Sequence, residues 1–419
     1  MITINGKYNF AHIMCDEVED NVREQIELLL NLPMFKGEQI RIMADTHFGM
    51  GCVIGFTSTL GDYVVPNLVG VDIGCGIEAY CLGKQEIDFQ ALDDFIRGNI
   101  PSGKNVRKEI SPLVKEVSLI KDKDVEFNSL LISQIDCQAR RLFENIEDEQ
   151  KRAEKMKRVF LSLGTLGAGN HYISLERDEN GRDWLCVHTG SRNFGLQIAN
   201  YHQNKAKELA KKFFLDIDDK YKDLEFLPMD KGGEHYLFCM GVAQKYAALN
   251  RHVVAREILE FLGHQISEVD SIKTVHNYIE ITETRTVENA NDYMRKREYP
   301  CKGIVRKGAI SAKDGERVVI PINMKDGSLL GIGKGSRKWN FSAPHGAGRI
   351  MGRNEAKRKL NLDDFKESMK GIWTSCLSEK TLDESPLAYK DKDFILNSIE
   401  ETVEVTDHLK TVYNFKSQD

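Results

Sequence analysis

Five short segments of the chain place a metal-binding or nucleophilic side chain beside glycine or asparagine. These segments, 71–76, 167–171, 187–192, 275–277 and 344–349, supply one carboxylate, one thiol and four imidazoles, on Asp72, Cys75, His171, His188, His276 and His345. This borderline-soft set of donors suits Mn, Fe, Co or Zn. Neighbouring glycines let the backbone approach an ion or a phosphate closely. The sequence therefore predicts an enzyme that folds around a buried metal site.

Each of these residues, taken alone, has a less specific interpretation. An aspartate on a turn and a buried cysteine are both common, and a lone histidine after a strand is more often structural. However, Asp72 and Cys75 stand three residues apart in a glycine-bracketed turn. That spacing brings a carboxylate and a thiolate to one ion, or lets the sulfur bridge two ions. Together with several histidines in strand-like or glycine-rich contexts, the turn favours metal binding.

His345 begins a loop of small residues, Gly346-Ala347-Gly348, which Arg349 follows. Backbone N–H groups in such a loop can cradle phosphate oxygens, and arginine offers a planar donor fork to the same oxygens. An imidazole in that position can attack a nucleotide α-phosphate when a metal neutralises charge on the oxygens. The alternative is a structural histidine in a loop that leads into a helix.

Composition limits the class of protein. The 419 residues carry a formal net charge of -6, which argues against binding nucleic acid by bulk charge but allows a local basic channel. Nine cysteines without regular spacing do not resemble a secreted disulfide framework. The start lacks a signal-peptide pattern, and no apolar run approaches the ~18 residues of a membrane-spanning helix. We therefore expect a cytoplasmic protein with reduced thiols and no membrane segment.

Hydrophobic periodicity predicts the elements that must position these residues. Helical patterns cover 17–31, most of 88–160, 197–213, 236–263 and most of the tail after Asn354. Strand-like texture covers 39–80, 159–175, 184–188, 274–281 and 303–332. Because the candidate ligands are spread from 72 to 345, cutting the chain into domains would split the site. We therefore expect one α+β domain over residues 1–419.

Nearly the whole chain resembles the RtcB-type RNA ligases. The resemblance runs from Ile42-Met43-Ala44-Asp45-Thr46-His47 to Tyr413-Asn414-Phe415-Lys416 and includes, in order, Asp72-Ile73-Gly74-Cys75-Gly76, Gly169-Asn170-His171, His188-Thr189-Gly190-Ser191-Arg192 and His345-Gly346-Ala347-Gly348-Arg349. As a set these motifs are highly specific. The resemblance implies a mixed β core around a dinuclear metal site, with helices packed outside.

The resemblance also assigns roles by position. Asp72, Cys75, His171, His188 and His276 would hold two Mn²⁺ ions, with Cys75 shared, and His345 would be the nucleophile that becomes guanylylated. The implied nucleotide contacts are Asn170, His171, Asn277, Asn323, Met324, His345, Gly346, Ala347, Gly348, Tyr389 and Lys416. Among them, Tyr389 and Lys416 would lie against the guanine.

The implied reaction joins RNA 3′-phosphate or 2′,3′-cyclic phosphate ends to 5′-hydroxyl ends, in tRNA splicing or RNA repair. GTP is the co-substrate, a His–GMP adduct is the first intermediate, and an activated RNA 3′-end is the second. A cyclic phosphate must first be opened. The resemblance leaves open whether an archease-type activator is needed for multiple turnovers.

Two positions depart from the family pattern. Ser174 stands where many members carry a guanine-recognising Glu, and Pro321-Ile322-Asn323-Met324 replaces Pro-Gly-Ser-Met. Asn323 can still hydrogen-bond a base or ribose. Both changes lie at positions that bear on recognition of the base, and GTP remains the favoured nucleotide.

RNA must reach the site despite the negative net charge. Arg192 and Arg349 are the preferred candidates for backbone contacts. Lys104, Arg107 and Lys108 are weaker candidates, because a solvated loop explains them equally well.

Two other functions remain open from the residues alone. A metal-dependent phosphatase or nuclease could use the same ions to activate water, without a covalent nucleotide intermediate. A non-catalytic RNA-binding or scaffold protein is the second alternative, but it has no need for six such residues.

Overall fold

The computed structural model describes residues 1–115, 128–213, 219–288 and 296–418. Its strands are β1 (Ile2–Asn5), β2 (Phe10–Ile13), β3 (Ile40–His47), β4 (Ile54–Thr59), β5 (Tyr63–Val64), β6 (Gly76–Gly83), β7 (Tyr172–Arg177), β8 (Asp183–Thr189), β9 (Leu227–Pro228), β10 (Ser271–Val275), β11 (Asn277–Glu288), β12 (Lys296–Lys307), β13 (Ala309–Ser311), β14 (Arg317–Asn323), β15 (Gly327–Gly333), β16 (Ser342–Pro344) and β17 (Val403–Lys416).

The helices are α1 (Asp20–Leu30), α2 (Phe89–Asn99), α3 (Pro112–Lys115), α4 (Ser129–Phe143), α5 (Glu149–Leu161), α6 (Arg192–Phe213), α7 (Gly233–Phe261), α8 (Arg353–Lys359), α9 (Leu362–Ser368) and α10 (Lys392–Ser398). Short 3-10 turns join several of them. Within the described ranges, none of these helices is both long and apolar enough to cross a membrane.

Two larger sheets in the described chain carry the site between them. One has the order β1-β2-β3-β4-β12-β11, and the other has the order β10-β6-β8-β7-β17-β15-β14. Only the pairing of β2 with β3 is parallel among these described strands, so the first sheet is mixed. His276 lies between β10 of the second sheet and β11 of the first. The chain therefore passes from one sheet to the other at a predicted metal ligand.

Helix α7 packs against strands of both sheets and is buried along most of its length. Its apolar residues enter two hydrophobic clusters, one with α1 and the first sheet and the other with α2 and the second sheet. A helix that is apolar around most of its circumference belongs in a protein interior. This central helix gives the loops of the site a rigid support.

The α+β class, with mixed strands inside and helices packed around them, is confirmed. The predicted helices at 17–31, 197–213 and 236–263 correspond to α1, α6 and α7. Within the helical stretch predicted at 88–160, residues 116–127 lie outside the described residues.

Two predicted regions differ from the structure. Residues 159–161 belong to the end of α5, and strand β7 begins only at Tyr172, with a glycine-rich loop between them. The tail, predicted to be mostly helical, contains the long strand β17, which pairs with β7 on one side and β15 on the other. Hydrogen bonds to two neighbouring strands, which come from distant parts of the sequence, decide the conformation of this segment.

Candidate active site

The five predicted metal ligands meet in one buried cluster. Cys75 Sγ lies 3.4 Å from His171 Nε2 and 3.3 Å from His188 Nε2. Asp72 Oδ2 lies 2.9 Å from His171 Nε2. The ligand atoms form two triads, Asp72–Cys75–His171 and Cys75–His188–His276, each with its atoms within 4.8 Å of one another. Cys75 belongs to both triads, as a thiolate shared between two ions would.

Short turns and strand ends in the second sheet bring these ligands together. Asp72 and Cys75 lie on the turn before β6, and His188 lies in β8, paired with Ile77 of β6 and Tyr172 of β7. The backbone N–H of His276 donates to the carbonyl of Cys75 at 3.0 Å, which ties the turn to the crossing between the sheets.

Glycine is required at position 190 for the approach of the Asp72 carboxylate. A Cβ atom on Gly190 would lie 2.1 Å from Asp72 Oδ1 and 2.6 Å from its carboxyl carbon. Contacts this short do not occur, so any larger residue must displace Asp72. The glycine of the His-x-Gly-Ser-Arg motif therefore leaves the space that the Asp72 carboxylate occupies.

Helix α7 supports the turn that carries Asp72 and Cys75 through buried hydrogen bonds. Arg251 is buried, and its Nη1 donates to the carbonyls of Gly74 at 2.8 Å and Thr189 at 2.9 Å, while its Nε donates to Glu78 Oε1 at 3.1 Å. Asn277 adds a second support, because its Nδ2 donates to the carbonyl of Asp72 at 3.1 Å. These bonds fix the backbone on which the ligands stand.

The protonation states of the cluster suit a cation. Burial raises the pKa of Asp72, but the His171 imidazole, together with Cys75 and His276, outweighs burial and the pKa falls to about 2. Burial lowers the pKa of both His188 and His276 well below 6.5, which keeps the rings neutral. Burial and Asp72 raise the pKa of Cys75 well above 9.0, so a cation is needed to stabilise its thiolate.

His345 lies next to this cluster, with its ring centroid 4.8 Å from that of His276. Its Nδ1 lies 2.6 Å from Oδ2 of Asp45, a carboxylate of β3 that is fully buried. The same oxygen accepts the backbone N–H of His345 at 3.0 Å. An imidazole whose Nδ1 is held by a carboxylate presents Nε2 as its reactive nitrogen.

A cavity of ≈ 240 Å³ opens beside His345 and the metal histidines His188 and His276. All the predicted nucleotide contacts except His171 line it, namely Asn170, Asn277, Asn323, Met324, His345, Gly346, Ala347, Gly348, Tyr389 and Lys416. Gly348 has φ +74, and its Cβ would lie 2.2 Å from the Asp45 carbonyl oxygen, so glycine is required there too. One cavity thus adjoins both the candidate nucleophile and the candidate metal site.

Some of the predicted nucleotide contacts already form hydrogen bonds or apolar contacts with other residues of the protein. The Asn323 side chain bonds to Asp326 and to the backbone of its own turn, and Asn277 Oδ1 accepts the N–H of Gly308 at 2.9 Å. Met324 is buried with the apolar residues around Phe365. These contacts shape the wall of the cavity.

Sequence reasoning missed a buried carboxylate in this wall. Glu384 Oε2 accepts from Lys416 Nζ at 2.6 Å and from the Tyr389 hydroxyl at 2.9 Å, and its Oε1 lies 2.6 Å from Arg353 Nη1. Burial raises the pKa of Glu384, but Lys416 and then the two arginines, Arg353 and Arg349, outweigh burial and the pKa falls to about 2. The segment around Glu384 lacks the glycine and histidine that marked the other motifs.

A second missed carboxyl group, that of Glu176, also lines the cavity. Its Oε1 accepts the Ser174 hydroxyl at 2.7 Å, and burial raises its pKa to about 7. Its Oε2 has no hydrogen-bond partner in the described chain. Strand alternation could have identified it, since residues two apart in β7 share one face.

The arginines predicted to contact RNA have partners inside the protein. Arg192 donates through Nε to Thr165 Oγ1 at 2.9 Å and through Nη2 to the carbonyl of Gly103 at 2.8 Å. Arg349 lines the cavity and donates to Tyr389 Oη at 3.0 Å and to Glu384. Their contact with RNA stays a prediction. In the loop at 104–108, Arg107 is paired with Glu257 at 2.8 Å.

Comparison with known proteins agrees with this geometry. The family model described as "tRNA-splicing ligase RtcB" matches residues 25–417. The chain belongs to the RtcB family. It is 28% identical to the RNA-splicing ligase RtcB of Escherichia coli K12 over 94% of each chain. It is also 28% identical to the tRNA-splicing ligase RtcB of Aeropyrum pernix, over 84% of this chain and 82% of that one.

The RtcB match covers α7, the whole second sheet and the first sheet from β3 onward, since the matched region begins in α1 and ends just after β17. It places this chain among the RNA-splicing ligases. The resemblance on which the assignment of residues rested is thereby confirmed at the level of the family.

Proposed function

We propose that this RtcB-family protein joins RNA 3′-phosphate or 2′,3′-cyclic phosphate ends to 5′-hydroxyl ends, using GTP and two Mn²⁺ ions. The observation that carries the proposal is the position of His345. Its ring is anchored by the buried Asp45, lies against the metal histidine His276 and borders the cavity. A phosphatase or nuclease that only activates water has no need of a carboxylate-held imidazole there.

The donor set fits the metals. His276 Nδ1 is buried without a hydrogen-bond partner in the described chain, and buried polar atoms in proteins are rarely left so. Asp72, Cys75 and His171 would hold one ion, and Cys75, His188 and His276 the other. Bound Mn²⁺ would neutralise charge on the phosphate oxygens.

The first step would be attack of His345 Nε2 on the α-phosphorus of GTP. An N–P bond forms, the bond from that phosphorus to the bridging oxygen breaks, and pyrophosphate leaves. Asp45 holds Nδ1–H and stabilises the positive charge that develops on the ring. The loop Gly346-Ala347-Gly348 lines the cavity beside His345 and could offer backbone donors to the oxygens of a phosphate bound there.

Two further steps would transfer GMP to the RNA 3′-phosphate and then join the two RNA ends. An oxygen of the RNA 3′-phosphate attacks the phosphorus of the His345 adduct, and the N–P bond breaks. The 5′-hydroxyl then attacks the RNA phosphorus, so that GMP leaves and a phosphodiester forms. A 2′,3′-cyclic end needs hydrolysis to the 3′-phosphate before the second step.

The base would lie toward Tyr389, Lys416 and Glu176. Ser174 cannot supply the carboxylate that many family members have at its position, but Glu176 brings a carboxyl group to the same wall of the cavity. A carboxylate can accept from the N1–H and the 2-amino group of guanine together, which adenine cannot offer. We therefore favour GTP over ATP.

Several wider assignments belong to the same proposal. Residues 1–419 would act as one catalytic domain, because both sheets border the site. The partner would be RNA, with Arg192 and Arg349 as candidate contacts, and an archease-type activator is a candidate second partner. A cytoplasmic location rests on the irregular cysteine pattern.

Intact-protein mass spectrometry after incubation with Mn²⁺ and either GTP or ATP tests the proposal. We expect a GMP-sized gain with GTP, lost in His345→Ala and kept in His264→Ala, which alters a histidine bonded to Gln85 rather than to this site. An AMP-sized gain would keep the mechanism and overturn the base assignment. No adduct with either nucleotide, in protein shown to hold its metal, would favour the phosphatase or nuclease.

A further inference from the structure

A second cluster of metal-binding side chains lies between helices α6 and α7. His202 comes from α6, and His235 and Cys239 come from the first part of α7. One ligand atom from each of the three lies within 4.8 Å of the others. Cys239 Sγ is 3.6 Å from His235 Nε2, and the rings of His202 and His235 have centroids 5.1 Å apart. None of the three belongs to the candidate active site.

The spacing in sequence supports the geometry. His235 and Cys239 are four residues apart, so they project from the same face of α7, one turn from each other. His202 approaches them from α6, which packs along α7. An i, i+4 pair on one helix, completed by a residue from another element, is a common way to present three ligands to zinc.

The surroundings allow an ion to enter and to be held. His202 and Cys239 are buried, at 3% and 2% exposure, and His235 is half-buried. A surface cavity of ≈ 500 Å³ reaches both histidines, which gives a path from solvent. The amide oxygen of Gln138, 3.1 Å from Cys239 Sγ, stands where a fourth ligand or a support for the thiolate is needed.

Arg141 is the group that opposes a cation here. Its guanidinium donates to His235 Nε2, which shows that this nitrogen carries a lone pair. Arg141 is exposed on α4, so its side chain can turn into solvent while His235 Nε2 binds an ion instead. A salt-screened exposed charge opposes binding less than a buried one.

We propose that His202, His235 and Cys239 form a second metal site, which takes a thiophilic divalent cation of the zinc class. Imidazole and thiolate are the donors that Zn²⁺ prefers, and three protein ligands leave one position for water or Gln138. Ligand atoms around tetrahedral zinc lie about 3.3–3.6 Å apart, so small side-chain rotations close the cluster. The ion would clamp α6 to α7, and so stabilise the helices that support the active site.

Cobalt(II) is a suitable probe, because a thiolate bonded to it gives a charge-transfer absorption band. Cys75→Ser removes the thiolate of the active site, so any band that remains reports another cysteine. We expect the Cys75→Ser protein to keep the band and to hold zinc that a weak chelator does not remove. The Cys75→Ser/Cys239→Ser protein should lose the band, and Cys75→Ser/Cys81→Ser should keep it, since Cys81 is outside the cluster.

His235→Asn in the Cys75→Ser background gives a second test at a half-buried position where folding is less at risk. We expect its affinity for zinc at the Cys239 site to fall at least about tenfold, since loss of even a supporting residue has that effect. Circular dichroism checks that each variant is folded. Absence of the band in the Cys75→Ser protein, or its persistence in folded Cys75→Ser/Cys239→Ser, would overturn the proposal.

Discussion

Asp45 and His345, which are 300 residues apart in sequence, are joined by two hydrogen bonds to a single carboxylate oxygen. Asp45 Oδ2 lies 2.6 Å from His345 Nδ1 and 3.0 Å from its backbone nitrogen. One oxygen therefore sets both the orientation of the ring and the position of its backbone. The carboxylate is fully buried, while the His345 side chain keeps 17% of its surface exposed toward the cavity.

The first prediction follows from this pair. Asp45→Asn should slow formation of the nucleotide adduct by about 10²- to 10⁴-fold, because an amide can neither fix the same tautomer nor stabilise a charged imidazole. The rate is measured by mass spectrometry over time with GTP and Mn²⁺. Metal content should stay unchanged, since Asp45 is outside both triads. Adduct formation at the wild-type rate would show that Asp45 has only a structural role.

The second prediction concerns the shared thiolate. Cys75→Ser should lower the affinity for Mn²⁺ at least about tenfold, because both triads lose the same sulfur donor. Isothermal titration with Mn²⁺ measures the affinity and the number of ions bound. Cys81→Ser is the matched control, since it lies on β6 outside the triads and should bind like the wild type. An unchanged affinity in Cys75→Ser would contradict a bridging role for the thiolate.

A third prediction uses the close approach of Gly190 to Asp72. Gly190→Ala should weaken metal binding. The new Cβ would lie 2.1 Å from Asp72 Oδ1, so the carboxylate must move away from the metal site. Gly98→Ala, at a site where a Cβ meets nothing within 4 Å, is the control. Metal content after dialysis is the measurement. If Gly190→Ala holds as much metal as Gly98→Ala, then Asp72 is not a ligand that depends on this approach.

The sequence was sufficient to identify reactive residues that stand in a distinctive local motif. Glycine beside Asp72, Cys75 or His345 marks a place where backbone and ligand come close, and the structure brings all of these residues to one site. The central α7 was equally clear, because its apolar residues extend over many helical turns.

Residues that act through distant partners could not be found in this way. Asp45 lies in an ordinary apolar strand, and Glu384 lies in a 3-10 turn with no distinguishing neighbours. Their importance comes from His345 and Lys416, which only the folded chain brings near them. Strand β17 escaped notice for a similar reason, since its partners β7 and β15 are far away in sequence.

The last prediction concerns Glu176, whose pKa burial raises from 4.5 to about 7. Between those pH values the unfolded chain loses the proton that the folded protein retains, so the free energy of unfolding falls as pH rises through this range. The full effect of such a shift is about 3 kcal/mol, as an upper limit, and is complete above pH 7. Glu176→Gln keeps a neutral group and should abolish this dependence.

Urea unfolding at pH 5 and pH 8 measures the effect. Glu176→Gln should gain stability relative to the wild type at pH 8 and differ little from it at pH 5. In the adduct assay the same variant should discriminate less between GTP and ATP, because an amide cannot accept two hydrogen bonds from guanine through a pair of oxygens. An unchanged preference for GTP, together with the expected change in stability, would mean that the base is read by other residues in the cavity.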